Sequence, residues 1–212
     1  MRGCVRLSRL IALGLALALA GASVSAGPAP ARVVSINLCT DQLAMMLAAP
    51  GQLVSVSELA ADPHSSAMAR EARAYKANHG RAEEIYLLDP DLVLAGIYTD
   101  PATVGMLRRV GLRVVQFETV KSLDDTRALI AKMARVLGHE EAGAALIAEF
   151  DARLKTLRAE NTTHSAALYH PNGYSLGSGT LADDILRAAG FSNVAHALGL
   201  RGGGTVPLER LV

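Results

Sequence analysis

The 212-residue chain has no tryptophan, two cysteines and only 4% aromatic residues, and its formal charge is +1. Two cysteines cannot build a disulfide framework, and a near-neutral balance without a basic run lacks the electrostatic footprint of a nucleic-acid binder. No apolar stretch reaches the roughly 20 residues needed to span a bilayer. No GxSxG or comparable nucleophile motif is present, which leaves a hydrolase without its first requirement. At 50% hydrophobic content the chain is neither disordered nor collagen-like, and its length allows one large domain or two small ones.

The start of the chain reads as an address. Arg2, Arg6 and Arg9 precede an apolar run from Leu10 to Ala20, and Val24-Ser25-Ala26 supplies the small residues that a signal peptidase reads. A cleaved signal peptide over residues 1–26 is therefore expected, with delivery to the bacterial periplasm. Cys4 lies ahead of the apolar run, where it cannot become a lipid-attachment site. Cleavage after Ala26 leaves 186 residues and removes three of the 21 basic residues against 20 acids, so the mature chain is slightly acidic, about −2. Its one remaining cysteine, Cys39, reads as a small apolar core residue rather than a thiolate ligand.

Strand and helix patterns then alternate. RVVSIN (Arg32–Asn37) is β-branched, and Thr40 is placed to cap a helix from Asp41 to Ala49. LVSVS (Leu53–Ser57) reads as a strand, followed by a polar loop from Glu58 to Ser66 and a helix near Ala67–Ala74. Glu83–Leu88 is helical, DLVLAG (Asp91–Gly96) is an apolar strand of the buried parallel type, Thr103–Val110 is a helix and LRVVQF (Leu112–Phe117) a strand. This order predicts a parallel sheet covered on both faces over 32–119. Ser122 caps a helix from Leu123 to Leu137 that Gly138 breaks, and a second helix from Glu140 to about Arg158 completes a connector over 122–160. Beyond it the alternation resumes in Ala166–Tyr169, a turn-rich stretch from Pro171 to Gly179, and a helix from Thr180 to Ala189. The predicted fold is thus α/β: two lobes with parallel sheets joined by a long connecting helix. The second lobe, 165–212, is expected to be incomplete, because a repeat of the first would place a further strand after VPLERLV.

Taken together, RVVSINLCTDQL, AEEIYLLDPDLVLAG, the helical connector and YSLGSGTLADDILRAAGFSNVA resemble the periplasmic substrate-binding proteins of ABC importers. The similarity is to the group with a rigid connecting helix, which carries cobalamin, ferric siderophores and related chelates. The resemblance implies a non-catalytic, monomeric protein with no resident cofactor. It implies a small metal chelate as ligand, an inner-membrane ABC permease as partner and no nucleic acid. In that family paired acids dock the lobes onto permease arginines, which singles out Glu83 and Glu209, each at the start of a short helix. Alternatives stay open: a haem or transition-metal binder, a periplasmic α/β hydrolase, or an inactive truncated fragment.

Ligands of open parallel sheets bind beyond the carboxyl ends of the strands. The candidates there are Asn37 and Thr40 between a strand and a helix, Tyr98 and Tyr174 as exposed phenols, Ser178 in the second-lobe loop, and Arg201 in RGGGT. Asn37 and Thr40 serve equally as turn and cap residues. His64 and His79 fall in loops without metal-ligand spacing, so no metal site is expected. Gly177–Ala182 fits GxGxxA, but Pro171–Tyr174 interrupts the strand that a dinucleotide site requires.

Overall fold

A computed structural model describes residues 28–157 and 164–210. The expected signal peptide lies outside the described residues. Five strands form the main sheet: β1 (Val33–Ser35), β2 (Leu53–Ser57), β3 (Lys76–Asn78), β4 (Leu92–Gly96) and β5 (Val114–Phe117), in the order β3-β2-β1-β4-β5. Every pair is parallel. The expected strands are therefore present, and β3 is an addition. Only Asn78 of its three residues is buried, so it carries no apolar signal.

Side-chain alternation divides the core between the two faces of the sheet. Val33, Leu92 and Leu94 pack on one face with Ala44 and Leu47 of helix α1 (Leu38–Leu47). Val34, Val93 and Ala95 pack on the other with Ile85 of α3 (Ala82–Tyr86) and Val104 and Leu107 of α4 (Pro101–Arg109). A strand whose alternate residues enter two separate cores has no solvent face, which is why β4 reads as an unbroken apolar run. Between β2 and β3 the polar loop holds a 3₁₀ turn, Glu58–Ala61, and a single-turn helix α2, Ala69–Ala72, shorter than its expected span.

One N-terminus is corrected. Helix α1 begins at Leu38, and its cap is Asn37, whose carboxamide oxygen accepts from the Cys39 N–H at 3.1 Å. Thr40 lies inside the first turn instead. It is buried, donates to the Asn37 carbonyl at 2.9 Å and sits 2.7 Å from the Ser35 hydroxyl. Asn37 has the extended backbone of a cap, φ −149° and ψ 133°, and a shorter reach to the N–H two residues on.

Helix α5 (Leu123–Leu137) begins at Ser122, whose hydroxyl accepts from the Asp125 N–H, and ends at Gly138 in the left-handed conformation. Ile130, Met133, Ala134 and Leu137 sink into the first core face, so α5 is a layer of this sheet. Helix α6 (Glu140–Leu157) returns alongside it. A Cβ added to Gly143 would stand 2.3 Å from the Ala134 methyl, so the two helices approach more closely than any larger residue permits. Their junction is tied down by buried Gln52, which donates to the Leu137 carbonyl at 2.9 Å and the Pro30 carbonyl at 2.7 Å. Its amide oxygen accepts from the Ala49 N–H and lies 3.0 Å from His139 Nε2.

Residues 164–210 hold shorter elements. β6 (Ser165–Ala166) runs parallel to β8 (Ser192–Asn193), while β7 (Tyr174–Leu176) runs antiparallel to β9 (Gly203–Thr205). The second of these pairs departs from the expected parallel arrangement, because the glycine-rich loop folds back on β7. Helix α7 (Leu181–Ala188) is capped by the Thr180 hydroxyl, and α8 (Val194–Ala197) by the Asn193 carboxamide. The start of α5 meets α7 through the Leu123 N–H, which donates to Asp184 at 3.1 Å.

Replacing Gln52 with alanine strands the Pro30 and Leu137 carbonyls and the Ala49 N–H at one buried point. Urea unfolding should show a loss of about 1–3 kcal/mol, the cost of unsatisfied buried hydrogen-bonding groups.

Candidate functional site

The sheet order fixes where a site can form. After β1 the chain enters α1 on one face, and after β4 it enters α4 on the other. Adjacent strands β1 and β4 thus send their helices in opposite directions and leave a crevice beyond their carboxyl ends. Asn37 and Tyr98 leave the sheet at this point. The Asn37 side chain packs tightly over the end of β4: a Cβ on Gly96 would stand 2.9 Å from the Asn37 side-chain nitrogen Nδ2.

Tyr98 is 82% exposed, and the turn that carries it is locked. The Thr99 hydroxyl accepts from the Gly96 N–H at 3.1 Å, and the Thr99 N–H returns to the Gly96 carbonyl. Asp100 then caps α4, accepting from Ala102 and Thr103 N–H groups, with Pro101 preset in the first turn. The Thr103 N–H is the main force holding the Asp100 carboxyl below its usual range. A phenol displayed on a preorganised turn offers a flat apolar face and one hydroxyl to an incoming ligand.

Behind the rim lies a polar network of Asp41, Ser35, Ser55, Ser57 and Asn78. Asp41 is fully buried and accepts from the Ser57 backbone N–H at 3.2 Å and from the Ser57 hydroxyl. Burial pushes its carboxyl above the ordinary range, opposed by hydrogen bonds from Ser35 and Ser57. Asn78 donates to the Ser35 carbonyl and the Ser55 hydroxyl, each at 2.9 Å. Among the described residues no buried side-chain polar atom lacks a partner. The network therefore holds the ends of β1, β2 and β3 together rather than presenting free groups to a ligand. Serines at 35, 55 and 57, toward the carboxyl ends of otherwise apolar strands, are the one sequence signal that marks it.

Thr40 belongs to this interior, while Asn37 is half-buried at the rim. Cys39, expected in the core, is exposed instead: the second residue of a helix that packs through Ala44 and Leu47 faces outward. His64 is exposed in its loop. His79 lies 3.4 Å from Glu58 and 3.2 Å from Glu84. Among the described residues no cluster of three or more metal-binding side chains forms.

The remaining candidates gather in the second half of the chain. Tyr174 is 45% exposed in β7 and lies so close to β9 that a Cβ on Gly203 would overlap its hydroxyl. The His170 ring stands 6.2 Å from that of Tyr174, a neighbour that sequence reasoning did not single out. Ser178 bridges to Arg201, and its hydroxyl donates to the Leu200 carbonyl at 3.3 Å. That hydroxyl is engaged in the loop, while the Arg201 side chain is exposed. Glu83 and Glu209 are exposed on α3 and on a 3₁₀ turn, Leu208–Arg210. A groove of about 1200 Å³ lies between the α5–α6 pair and α7–α8, lined by Leu123, Arg127, Leu154, Arg187, Phe191 and His196. None of the candidate residues lines it. Its charged wall is occupied by the Arg127–Asp151 ion pair at 2.6 Å.

A profile of the family "Periplasmic binding protein" matches residues 33–212. Cobalamin-binding proteins from two strains of Halobacterium salinarum are each 31% identical over 171 residues, covering 78% of this chain and 46% of theirs. The chain spans about half the length of the curated relatives it matches. Among solved structures, the periplasmic heme-binding protein BhuT in complex with two hemes is 25% identical with a TM-score of 0.65, over 85% of this chain and 72% of that one. The heme-binding protein RhuT from Roseiflexus sp. RS-1 gives 24% and 0.68 over 85% and 72%. The periplasmic vitamin B12 binding protein BtuF of Vibrio cholerae gives 22% and 0.59 over 86% and 72%. The last two likenesses are of fold alone.

The buried carboxyl yields a signed pH dependence. Its folded value lies above the unfolded one, so its contribution to stability is complete below the unfolded carboxyl value of about 3.9 and is lost as pH rises through the folded value. Chemical unfolding across acid to neutral pH should show the wild type losing stability relative to Asp41→Asn as pH rises. A difference that stays constant with pH would mean that Asp41 titrates alike in folded and unfolded chains.

Proposed function

Because the chain belongs to the periplasmic binding protein family, we propose that it binds a metal chelate, a cobalamin-type corrinoid first among these, and passes it to an ABC permease. In this reading residues 1–26 export the chain and are removed. Segment 32–119 forms one lobe, 122–160 the helical connector and 165–212 part of a second lobe. The ligand sits against the carboxyl edge of the main sheet, facing Tyr98, Asn37 and the loop carrying Tyr174, Ser178 and Arg201. Glu83 and Glu209 meet the permease. The protein performs no bond-making chemistry: it contributes shape, aromatic surface and charge.

The observation that carries the proposal is the display of Tyr98. A large aromatic side chain held almost wholly in solvent, on a turn stiffened by Thr99 and Asp100 at the switch point of a parallel sheet, has no packing role within its own lobe. Planar macrocycles such as corrins present the broad faces that such a ring covers. The 31% identity with cobalamin-binding proteins favours a corrinoid over other chelates. The lobe core leaves Thr40 to support the rim from inside, through Ser35 and the Asn37 carbonyl.

The chain has five tyrosines and no tryptophan, so the part of the tyrosine emission that Tyr98→Ala removes reports on this surface. Titration with cyanocobalamin should quench it saturably at micromolar concentration, ahead of ferric siderophore, haem or Zn²⁺. Tyr98→Ala should weaken binding about two- to tenfold, the equivalent of one aromatic contact. Preferential binding of haem, seen as a shifted Soret band, would reassign the ligand. Failure of every chelate would remove the binding proposal.

A further inference from the structure

Strand β5 is an apolar run interrupted by one polar residue, Gln116, which is half-buried. Val114, two residues earlier, packs on the face covered by α4, and Val115 and Phe117 pack on the other, so alternation puts Gln116 on the α4 side. Its carboxamide lies between two groups of opposite kind. The Arg108 guanidinium of α4 donates to Oε1 at 3.1 Å, and Nε2 donates to the Gly96 carbonyl at 3.3 Å. A guanidinium only donates and a carbonyl only accepts, so one carboxamide orientation serves both and neither glutamate nor leucine can replace it.

The backbone of Gln116 is held from the opposite side. β5 ends the sheet, and its Arg113 and Phe117 carbonyls accept from the Val93 and Ile97 N–H groups at the two ends of β4. Alternation therefore turns the Gln116 carbonyl toward the free edge. There the Lys132 ammonium of α5 donates to it at 2.8 Å while standing 4.7 Å above the Phe117 ring. Gly96, at the other end of the contact, carries the turn that displays Tyr98. Its N–H donates to the Thr99 hydroxyl, and its carbonyl accepts from the Thr99 N–H and from Gln116, one for each lone pair. The Thr99 bonds close the turn on itself and would travel with it. Gln116, anchored by α4 on one face and α5 on the other, ties the turn to elements that stay in place.

We propose that Gln116, oriented by Arg108, is a positioning residue for Tyr98: by fixing the Gly96 carbonyl it sets the direction in which the phenol leaves the sheet. This rests on the reading of Tyr98 as the ring that meets the ligand. With the clamp in place the ring is already ordered when the ligand arrives. Without it the ligand must order the turn as it binds, and affinity falls by that cost.

Amide exchange in the free protein tests the clamp without any ligand. Gln116→Leu should speed exchange of the Thr99 N–H roughly two- to tenfold, the equivalent of one hydrogen bond, and leave the Val93 N–H at the far end of the β4–β5 pair unchanged. Gln116→Glu, which keeps an acceptor for Arg108 and loses the donor, should do the same. Unchanged Thr99 exchange in both variants would overturn the inference, as would equal acceleration at Thr99 and Val93, which would mean that β5 loosens as a whole. Calorimetric titration with cyanocobalamin then tests the link to Tyr98. Gln116→Leu should weaken binding roughly two- to tenfold in the wild-type background and not at all in Tyr98→Ala. Equal losses in both backgrounds would show Gln116 acting apart from Tyr98 and overturn its positioning role. Should thermal unfolding show that the Gln116 variants do not fold, Arg108→Met, at an exposed site, carries the same expectations, and unchanged Thr99 exchange there would overturn the inference. If the unaltered protein binds no cyanocobalamin, the reading of the Tyr98 surface falls, while Thr99 exchange still decides whether the clamp exists.

Discussion

The direction of the strands governs everything built on the main sheet. Because all five run the same way, every carboxyl end lies on one edge, and every return to the opposite edge needs a crossover that covers a face. Since α1 and α4 leave neighbouring strands toward opposite faces, the edge opens between β1 and β4. No residue at that crevice creates it. Asn37, Gly96 and Tyr98 are the occupants of a position that topology has already opened, and the same topology leaves Glu83 on a crossover that precedes β4.

An edge of this kind leaves strand-end backbone groups and helix N-termini without partners unless side chains supply them. The chain supplies them from within the lobe. Asp41, Ser35, Ser57 and Asn78 tie three strand ends together, and Asn37 and Asp100 cap the two helices that flank the crevice. Burying Asp41 costs free energy, as its raised carboxyl value records. In return the rim has few ways to move, and a rigid rim loses little conformational entropy when a ligand docks on it. Rim stiffness and core polarity are therefore one feature seen from two sides.

Elements were legible in the sequence where local chemistry and burial agree. Leu123–Leu137 was readable to the residue, because a serine cap and a left-handed glycine bracket an amphipathic run. Leu53–Ser57 was equally clear, from β-branched residues bounded by Pro50-Gly51 and a polar loop. Where one residue does two jobs, local signals mislead. Thr40 has the chemistry of a cap but spends its hydroxyl inside the first turn, while Asn37, at the end of the expected strand and equally open to a turn or cap role, does the capping. β3 was invisible because Lys76 and Ala77 are exposed and only a backbone ladder makes them a strand. Cys39 was misplaced because composition says how often a cysteine is buried, and only the helix phase says which way this one points.

The candidate site divides along the same line. Tyr98 was legible because a tyrosine directly after a buried parallel strand must emerge at the edge, whatever the rest of the fold does. Tyr174 depends on a contact between distant segments: it lies against β9, whose glycines carry no strand propensity, and a side chain in place of Gly203 would collide with the phenol. A sequence pattern can report the first kind of placement, since it follows from strand direction alone. The second requires knowing which backbone passes within reach, and Gly203 leaves no trace of that partner in its own neighbourhood. The two tyrosines thus hold their places for different reasons: one is fixed by a local turn, the other by a long-range backbone contact whose loosening would move it without touching the main sheet.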